Sequence, residues 1–426
     1  MAPGSDVTVF DPGSSIARDY LRGGIVLGRA LVRPTLDVGL EGDSNFLTLA
    51  ETRGARNGVF TISPGLDLEV PVMRSGLRLT YAPLLRLLNV AGLPGSNVAH
   101  RVNLDVTTKV TPALTLSFRA HGARSVFDTL EFDPGREVFF SAKPFWRTDV
   151  ALLATYLLSP RSTLTTQIGV NKVQFRGRPE ATDLFFDHTT LRANISYMRR
   201  LSRRHTGTLG LEVGTNGSLR ADNARDPQLN DYRLWQPTVT VLSQFTPTLT
   251  GQISLAWRHQ KFPHAVRSFS GAQMSFSLEK RLGPAMDLSL SGLHTSVLSA
   301  FNPEEGNSFA ISSGVEAHLT HRLGPRLSWG AGADFQRLSF PVPLSERSSF
   351  GGSSLGRFAG VRRSDSIVGG RVEVRLRLID LTAVQFGYVF HRRGSSVSPF
   401  SFERSRFIIG LSLGRTIPTR ISTRRF

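Results

Sequence analysis

The residues of this sequence that are able to do chemistry include ten histidines, and their spacing does not assemble a catalytic or metal site. His318 and His321 are three residues apart, which on a strand places them on opposite faces, so we do not expect them to share a metal ion. His121 and His391 occupy polar positions of their segments, but no local serine and acid complete a nucleophilic group. We therefore expect no enzyme activity, no metal site and no cofactor.

Two further short motifs have structural interpretations. Gly330 and Gly332 in WGAGADF match half of a dinucleotide-binding motif but lack its helix, so small residues on an inner wall explain them better. The acidic segment DNARDPQLND has the residue types of a calcium site, although a solvated loop explains it better. The absence of cysteine excludes disulfides and thiolate chemistry.

A ladder of charge is the most distinctive pattern. In GGRVEVRLRLID, residues 369–380, aliphatic residues occupy the positions between four charged ones, namely Arg371, Glu373, Arg375 and Arg377. Because successive side chains of a strand point to opposite faces, this pattern predicts a strand with one charged and one aliphatic face.

The positive charge extends over the whole chain. The net charge is +18 and the sequence pI is about 11.2. Arginines are spread from Arg18 to Arg425, whereas a nucleic-acid-binding protein concentrates them in one patch or tail, so we expect no nucleic-acid partner. The spread favours a pore lining and contact with anionic headgroups.

Period-two alternation continues from one end of the chain to the other and predicts about eighteen strands. In TPALTLSFRAHG and TLTGQISLAWRHQ, apolar residues alternate with polar ones over whole segments. No apolar run reaches the roughly 20 residues of a membrane-spanning helix. Strands of about 9–11 residues are the length expected for a transmembrane barrel.

The connections alternate between short and long. Tight turns rich in Pro, Gly and Ser, such as LSPRST and RLGPRL, follow every second strand, and long polar loops follow the others. This layout predicts an all-β fold, a single up-and-down antiparallel transmembrane β-barrel with a water-filled lumen, over residues 31–417. Residues 1–30 form a periplasmic or luminal segment and residues 418–426 a tail. The alternative is a soluble all-β protein with shorter strands.

In a barrel of this size the charged face points into the lumen and the apolar face contacts lipid and lipopolysaccharide. The candidate ligand-binding residues are therefore the ladder Arg371, Glu373, Arg375 and Arg377 together with Arg78, Arg101, Arg119, Arg192 and Arg258. The longest loop, residues 341–365, is the best candidate to fold inward as a constriction or gate. The alternative is a mobile external loop.

One segment resembles a known family. Residues 33–47, RPTLDVGLEGDSNFL, contain Asp43 and Asn45 with Ser44 between them. The segment resembles the first-strand Asp-Asp-Asn motif of outer-membrane barrels encoded with exopolysaccharide synthesis and export systems, with Ser44 in place of the second Asp. The resemblance implies a conduit for a secreted, anionic polysaccharide, supplied by a separate periplasmic export protein.

Two other functions stay open. One is a general diffusion porin for small anionic solutes, and the other is a structural barrel that sheaths or anchors a partner protein. The first residues, MAPGSDVTVFDPGSS, lack a basic region followed by an apolar core, so we expect a mature chain of the bacterial outer membrane without its signal peptide.

Overall fold

The structure, a computed structural model, describes residues 24–45, 57–72, 74–89, 95–126, 144–176, 187–218, 230–299, 306–350 and 353–414. Within these ranges, one antiparallel sheet of twenty hydrogen-bonded segments contains the barrel. Two segments are halves of one strand and one is a short N-terminal piece, which leaves eighteen barrel strands. The strands are β1 (Ala30–Asp43), β2 (Asn57–Val72), β3 (Ser75–Tyr81 and Leu84–Asn89), β4 (Ser96–Lys109), β5 (Leu114–Ser125), β6 (Phe145–Ser159), β7 (Ser162–Phe175), β8 (His188–Arg200), β9 (His205–Ser218), β10 (Tyr232–Thr246), β11 (Leu249–Lys261), β12 (Phe269–Arg281), β13 (Met286–Leu298), β14 (Phe309–Arg322), β15 (Leu327–Pro343), β16 (Arg362–Ile379), β17 (Thr382–Ser395) and β18 (Phe402–Leu413).

The first and last strands close the sheet. β1 pairs with β2 on one side and with β18 on the other, from Leu36↔Leu413 to Asp43↔Arg406. Closure removes both free edges, which otherwise expose unpaired backbone groups. β3 is interrupted at Pro83, which has no N–H to donate to a ladder, yet both halves pair with β2 and β4.

Part of the N-terminal segment pairs with the barrel. Ile25–Leu27 forms an antiparallel ladder with the beginning of β1, next to the place where β18 ends. Residues 1–23 and 415–426, which contain most of the predicted terminal segments, lie outside the described residues. The same holds for the calcium-site candidate DNARDPQLND apart from its last two residues.

The predicted fold class and strand number are confirmed. Apart from the interrupted β3, the strands have 12 to 18 residues, which is longer than we expected. β16 begins at Arg362 and β18 at Phe402, several residues before the regular alternation of polar and apolar residues starts. The reason is that antiparallel pairing continues beyond the lipid-facing band, where the outward positions no longer need to be apolar.

The two rims of the barrel differ as predicted. Two-residue turns such as Pro160–Arg161 and Asp380–Leu381 join strands at one rim, whereas 18 residues, 344–361, join β15 to β16 at the other. β1 begins and β18 ends at the short-turn rim. This is the arrangement of barrels with short periplasmic turns and longer extracellular loops.

The outward face is apolar and the inward face is polar. Val239 and Leu255, which are register partners on β10 and β11, are each at least half exposed. Their inward neighbours Thr240 and Ser254 hydrogen-bond to each other at 2.8 Å. Two clusters of buried apolar side chains lie at the long-loop rim, under the connections. No helix among the described residues is long and apolar enough to cross a membrane.

The assignment of faces predicts different outcomes for two adjacent substitutions on β10. Val239→Arg places a charge on the lipid-facing wall, which costs about 2–4 kcal/mol near the bilayer midplane. Thr238→Arg places the same charge on the polar inner face, and we expect little loss of stability. Urea unfolding in lipid vesicles measures both free energies. An equal loss in the two variants would contradict the assignment.

Candidate functional site

The inner wall is the candidate site, and its arginines reach across glycines. On β16, Arg371 donates from Nη2 to Glu316 Oε1 at 2.9 Å, although Glu316 lies two strands away on β14. Gly332 on β15 is the register partner of Arg371, and a Cβ there would lie 2.8 Å from Arg371 Nε. The missing side chain therefore makes room for the ion pair, which explains one glycine of WGAGADF.

The rest of the predicted ladder continues along β16 toward the short-turn rim. Arg375 donates to Gln385 Oε1 at 3.1 Å, and the amide of Gln385 donates in turn to Glu373 at 3.4 Å. Arg377 donates to the carbonyl oxygen of Pro325 at 2.5 Å. Arg375 and Arg377 thus hydrogen-bond to neutral oxygens, while Glu373 lies on the same face of β16 and interacts electrostatically with Arg375.

A second group of inward residues lies on β8–β10. Arg192 on β8 donates to the Tyr232 hydroxyl at 3.4 Å and lies 3.7 Å from Glu212 Oε1. Tyr232 is on β10, and the intervening register partner of Arg192 on β9 is Gly214. A Cβ at Gly214 would lie 3.2 Å from Arg192 Cγ. The geometry repeats that of Arg371, with half of the Arg192 side chain still exposed.

Arg258 on β11 also bonds to a residue two strands away, although Phe269 and not Arg258 lies nearest the Cβ position of the intervening glycine. It donates from Nε to Gln236 at 2.6 Å and from Nη1 to the carbonyl oxygen of Ser296 at 2.9 Å, and Ser296 is on β13. Its register partner on β12 is Gly271. The β12–β13 ladder ends at Met274↔His294 although both strands continue, so Arg258 satisfies a carbonyl beyond the end of that ladder.

The other predicted residues are Arg78 on β3, Arg101 on β4 and Arg119 on β5. Of the three, Arg78 lies nearest the short-turn rim. Arg78 bonds to both oxygens of Asp67, at 3.1 and 2.6 Å, and Arg119 lies 3.6 Å from Asp105. Arg101 shares the inward face of its strand with Asp105. Neighbouring carboxylates therefore offset much of the charge in this part of the wall.

Several inward arginines were not predicted. They lie on β1, β16, β17 and β18 and are Arg33, Arg363, Arg393, Arg404 and Arg406. At the start of β18 the outward residues Glu403 and Ser405 are polar, so alternation of polar and apolar residues does not mark Arg404 and Arg406.

The loop between β15 and β16 folds inward. Leu344 and Leu355 are almost fully buried and pack with Leu338 and Phe340, which belong to the inward face of β15. A position facing a water-filled lumen is buried only if chain covers it, so the described part of this loop, residues 344–350 and 353–361, covers the inner wall at this rim. A role as a constriction or gate stays a prediction.

A buried ion cluster lies beneath the folded loop. Asp365 accepts hydrogen bonds from Arg363 at 2.6 Å, from Arg393 at 2.9 Å and from Ser395 at 2.6 Å. The Arg363 guanidinium lies 3.9 Å from the ring centre of Phe400. These contacts join β16 to β17 and to the connection that follows β17, so the inner wall under the loop is held by several charge-assisted hydrogen bonds.

Asp43 and Asn45 hold the closure of the barrel. Arg404 on β18 donates to both oxygens of Asp43 on β1, and the Asn45 backbone N–H donates to Asp43 Oδ1 at 2.9 Å. The Asn45 amide donates to the carbonyl oxygen of Glu403 at 3.2 Å. The Asp43 side chain is fully buried. These residues fasten the first strand to the last at the long-loop rim.

Neither a protein-family model nor a curated protein sequence matches this chain. Among solved structures, OccK2 (OpdF) of Pseudomonas aeruginosa is 12% identical, over 91% of this chain and 98% of its own, with a TM-score of 0.50. OpdQ of the same organism is 9% identical, over 91% and 99%, also at 0.50. The outer membrane protein OpdK is 13% identical, over 90% and 98%, at 0.48. The likeness to OccK2 and OpdQ is one of fold.

The resemblance to exopolysaccharide-export barrels is wrong. The fold is shared with OccK2 (OpdF) and OpdQ, and the residues that carried the resemblance, Asp43 and Asn45, form the β1–β18 closure. A short motif matched by two residues is easily reproduced wherever a first strand needs a buried hydrogen-bond acceptor. The polysaccharide substrate and the periplasmic export protein lose their support with it. The chain is an outer-membrane barrel whose apolar wall contacts lipid.

The closure pair predicts a loss of stability. In Asp43→Ala, Arg404 keeps its charge in a mostly buried place without its carboxylate, and we expect the free energy of unfolding to fall by about 3 kcal/mol. Arg404→Ala and the double variant complete a cycle that isolates the pair. Additive effects would show that the pair does not hold the closure.

The glycine geometry predicts a specific steric effect. Gly332→Val places a side chain where Arg371 and His318 now lie, breaks the Arg371–Glu316 bond and lowers the free energy of unfolding by about 2 kcal/mol. Gly76→Val is the matched control, because Gly76 is an inward glycine of β3 whose Cβ position has nothing within 4 Å. Denaturant unfolding of both variants measures the difference, and equal losses would contradict the packing argument.

Proposed function

We propose that this barrel is a diffusion channel of the outer membrane that favours small anionic solutes. The observation that carries the proposal is the bonding of Arg258, Arg375 and Arg377. All three lie on the inward face and donate to neutral oxygens. Glu212 and Glu373 offset part of the charge of Arg258 and Arg375 through space, whereas Asp67 hydrogen-bonds directly to Arg78. More of the positive charge of the three arginines therefore remains available to a solute in the lumen.

The low-dielectric wall of the lumen strengthens the attraction between the luminal arginines and an anion. A lumen lined by one excess sign of charge raises the local concentration of the opposite ion, because the low-dielectric wall concentrates the field. The net charge of +18 agrees with an excess of cations, although it is a property of the whole chain. Single guanidinium contacts bind a carboxylate or phosphate weakly enough for release, which conduction requires.

The arrangement also suits small solutes. The described part of the folded loop, residues 344–350 and 353–361, covers part of the inner wall at the long-loop rim, and the remaining cationic groups are divided between β11 and β16. A small anion is able to pass from one such group to the next along the wall. We infer no preference among carboxylates, phosphates and inorganic anions.

Ion selectivity tests the proposal. Replacing Arg258 and Arg375 with Glu should move the reversal potential of planar bilayers in a KCl gradient from anion-selective toward cation-selective. The control is Arg233→Glu with Lys261→Glu, which changes the same charge at exposed, outward positions of β10 and β11. We expect the control to keep the wild-type reversal potential.

Solute flux provides a second readout on the same proteins. Wild-type barrels in liposomes should admit a small monocarboxylate faster than an uncharged solute of equal size, and the Arg258 and Arg375 variant should lose this preference. Equal rates in the wild type, or an unchanged reversal potential in the variant, would overturn the proposal.

A further inference from the structure

The outward wall contains an apolar furrow. It lies across β13–β17, where Ala317, Ala333 and Gly370 are consecutive register partners on three adjacent strands. Register partners share a face, so three small residues form one row. The depression has a volume of about 450 Å³. It lies on the lipid-facing side and is separate from the inner wall discussed above.

Large apolar side chains border the furrow. The row toward the short-turn rim contains Leu288, Leu319 and Val372, and the row toward the long-loop rim contains Phe335 and Val368. Phe390 closes one side, as the register partner of Gly370. The depression is therefore an open groove bordered by apolar side chains, with the shape and polarity that fit a hydrocarbon chain.

Basic residues lie beyond the furrow, toward the long-loop rim. Arg337 is exposed on the outward face of β15, four residues from Ala333, and thus about 13 Å away along the strand. Exposed Arg392 on β17 is the register partner of Val368. Serine hydroxyls lie between them, since Ser366 is the register partner of Arg337 and Ser364 accepts from Arg337 Nε at 3.4 Å. Glu403 lies opposite Arg392 and offsets part of its charge.

We propose that this surface is a specific site for one phosphorylated, acylated lipid of the outer leaflet, a lipid A-type molecule. Its phosphate lies at Arg337 and Arg392, and one acyl chain runs along β15 into the furrow. The long-loop rim of such a barrel faces the outer leaflet, where this lipid chemistry is found. Two arginines and adjacent hydroxyls are the donors that phosphate recognition uses.

A second copy of the chain fits the surface less well. A symmetric contact between two copies through this furrow places the arginines of both copies near one another, with like charges opposed. A convex barrel wall also leaves a depression of this shape unfilled. An acyl chain with an anionic headgroup satisfies both the furrow and the arginines.

The site does not depend on transport through the lumen, so its test does not depend on the proposed function. The probe is bisphosphorylated lipid A added to the purified barrel in detergent, with bound lipid counted by native mass spectrometry. We expect one lipid to remain on the wild type under conditions that remove the others. Dephosphorylated lipid A should bind at least about tenfold more weakly, because the arginines then lose their partner.

Two variants test the two halves of the site. Arg337→Gln with Arg392→Gln should weaken binding about tenfold or more, since each basic group near an anionic lipid contributes to attraction. Ala333→Leu with Gly370→Leu fills the furrow, and the Cβ position of Gly370 has nothing within 4 Å, so we expect the barrel to assemble. This variant should also lose the retained lipid.

A matched control separates a site from general attraction. Arg233→Gln with Lys261→Gln removes the same charge from outward positions near the same rim, where Trp235 and Trp257 occupy the wall below. We expect it to keep the lipid. An equal loss in this control would overturn the proposal, as would the absence of a retained lipid on the wild type. A dimer that the furrow-filling variant abolishes would assign the surface to a second copy instead.

Discussion

The closed hydrogen-bonded ladder is the constraint on which the rest of this structure depends. Lipid offers no partner to a backbone N–H or carbonyl, so a strand protein spans a membrane only when every strand pairs on both sides. Here β1 must therefore meet β18, and Arg404 with Asp43 fastens that contact. Closure also separates the side chains into two sets, an outward set in lipid and an inward set around water. The groups that meet a solute in the lumen all belong to the inward set.

Glycines decide which members of the inward set meet. In an antiparallel sheet, side chains normally contact register partners on adjacent strands. Gly214 and Gly332 each remove one such partner, and in both cases an arginine crosses the vacant position to a residue two strands away. Arg192 and Arg371 are thereby held against the wall, directed along it instead of across the lumen. The inner wall thus contains arginines that are held by contacts two strands away and others that hydrogen-bond to neutral oxygens.

On the outward face, small residues form a depression in the wall instead of making room for an ion pair. Ala317, Ala333 and Gly370 lie side by side among leucine, valine and phenylalanine, so the wall is indented there, while tryptophans fill the corresponding wall near Arg233. At the long-loop rim, the same strands carry the folded loop inside and exposed arginines outside. One sector of the barrel, β14–β17, thus holds the loop on its inner face and the furrow on its outer face.

The sequence by itself determined the fold class, the number of strands, the two faces and the alternation of rims, because the period of two fixes the side of the sheet that each residue faces. It located Arg371, Arg375 and Arg258 on polar faces for the same reason. Only the tertiary structure decided which residues meet, because the register between strands sets the height of each side chain, and register depends on pairing between distant segments. Asp43 and Arg404 are 361 residues apart, so no local pattern shows their contact, and a two-residue match to a motif gave Asp43 the wrong role.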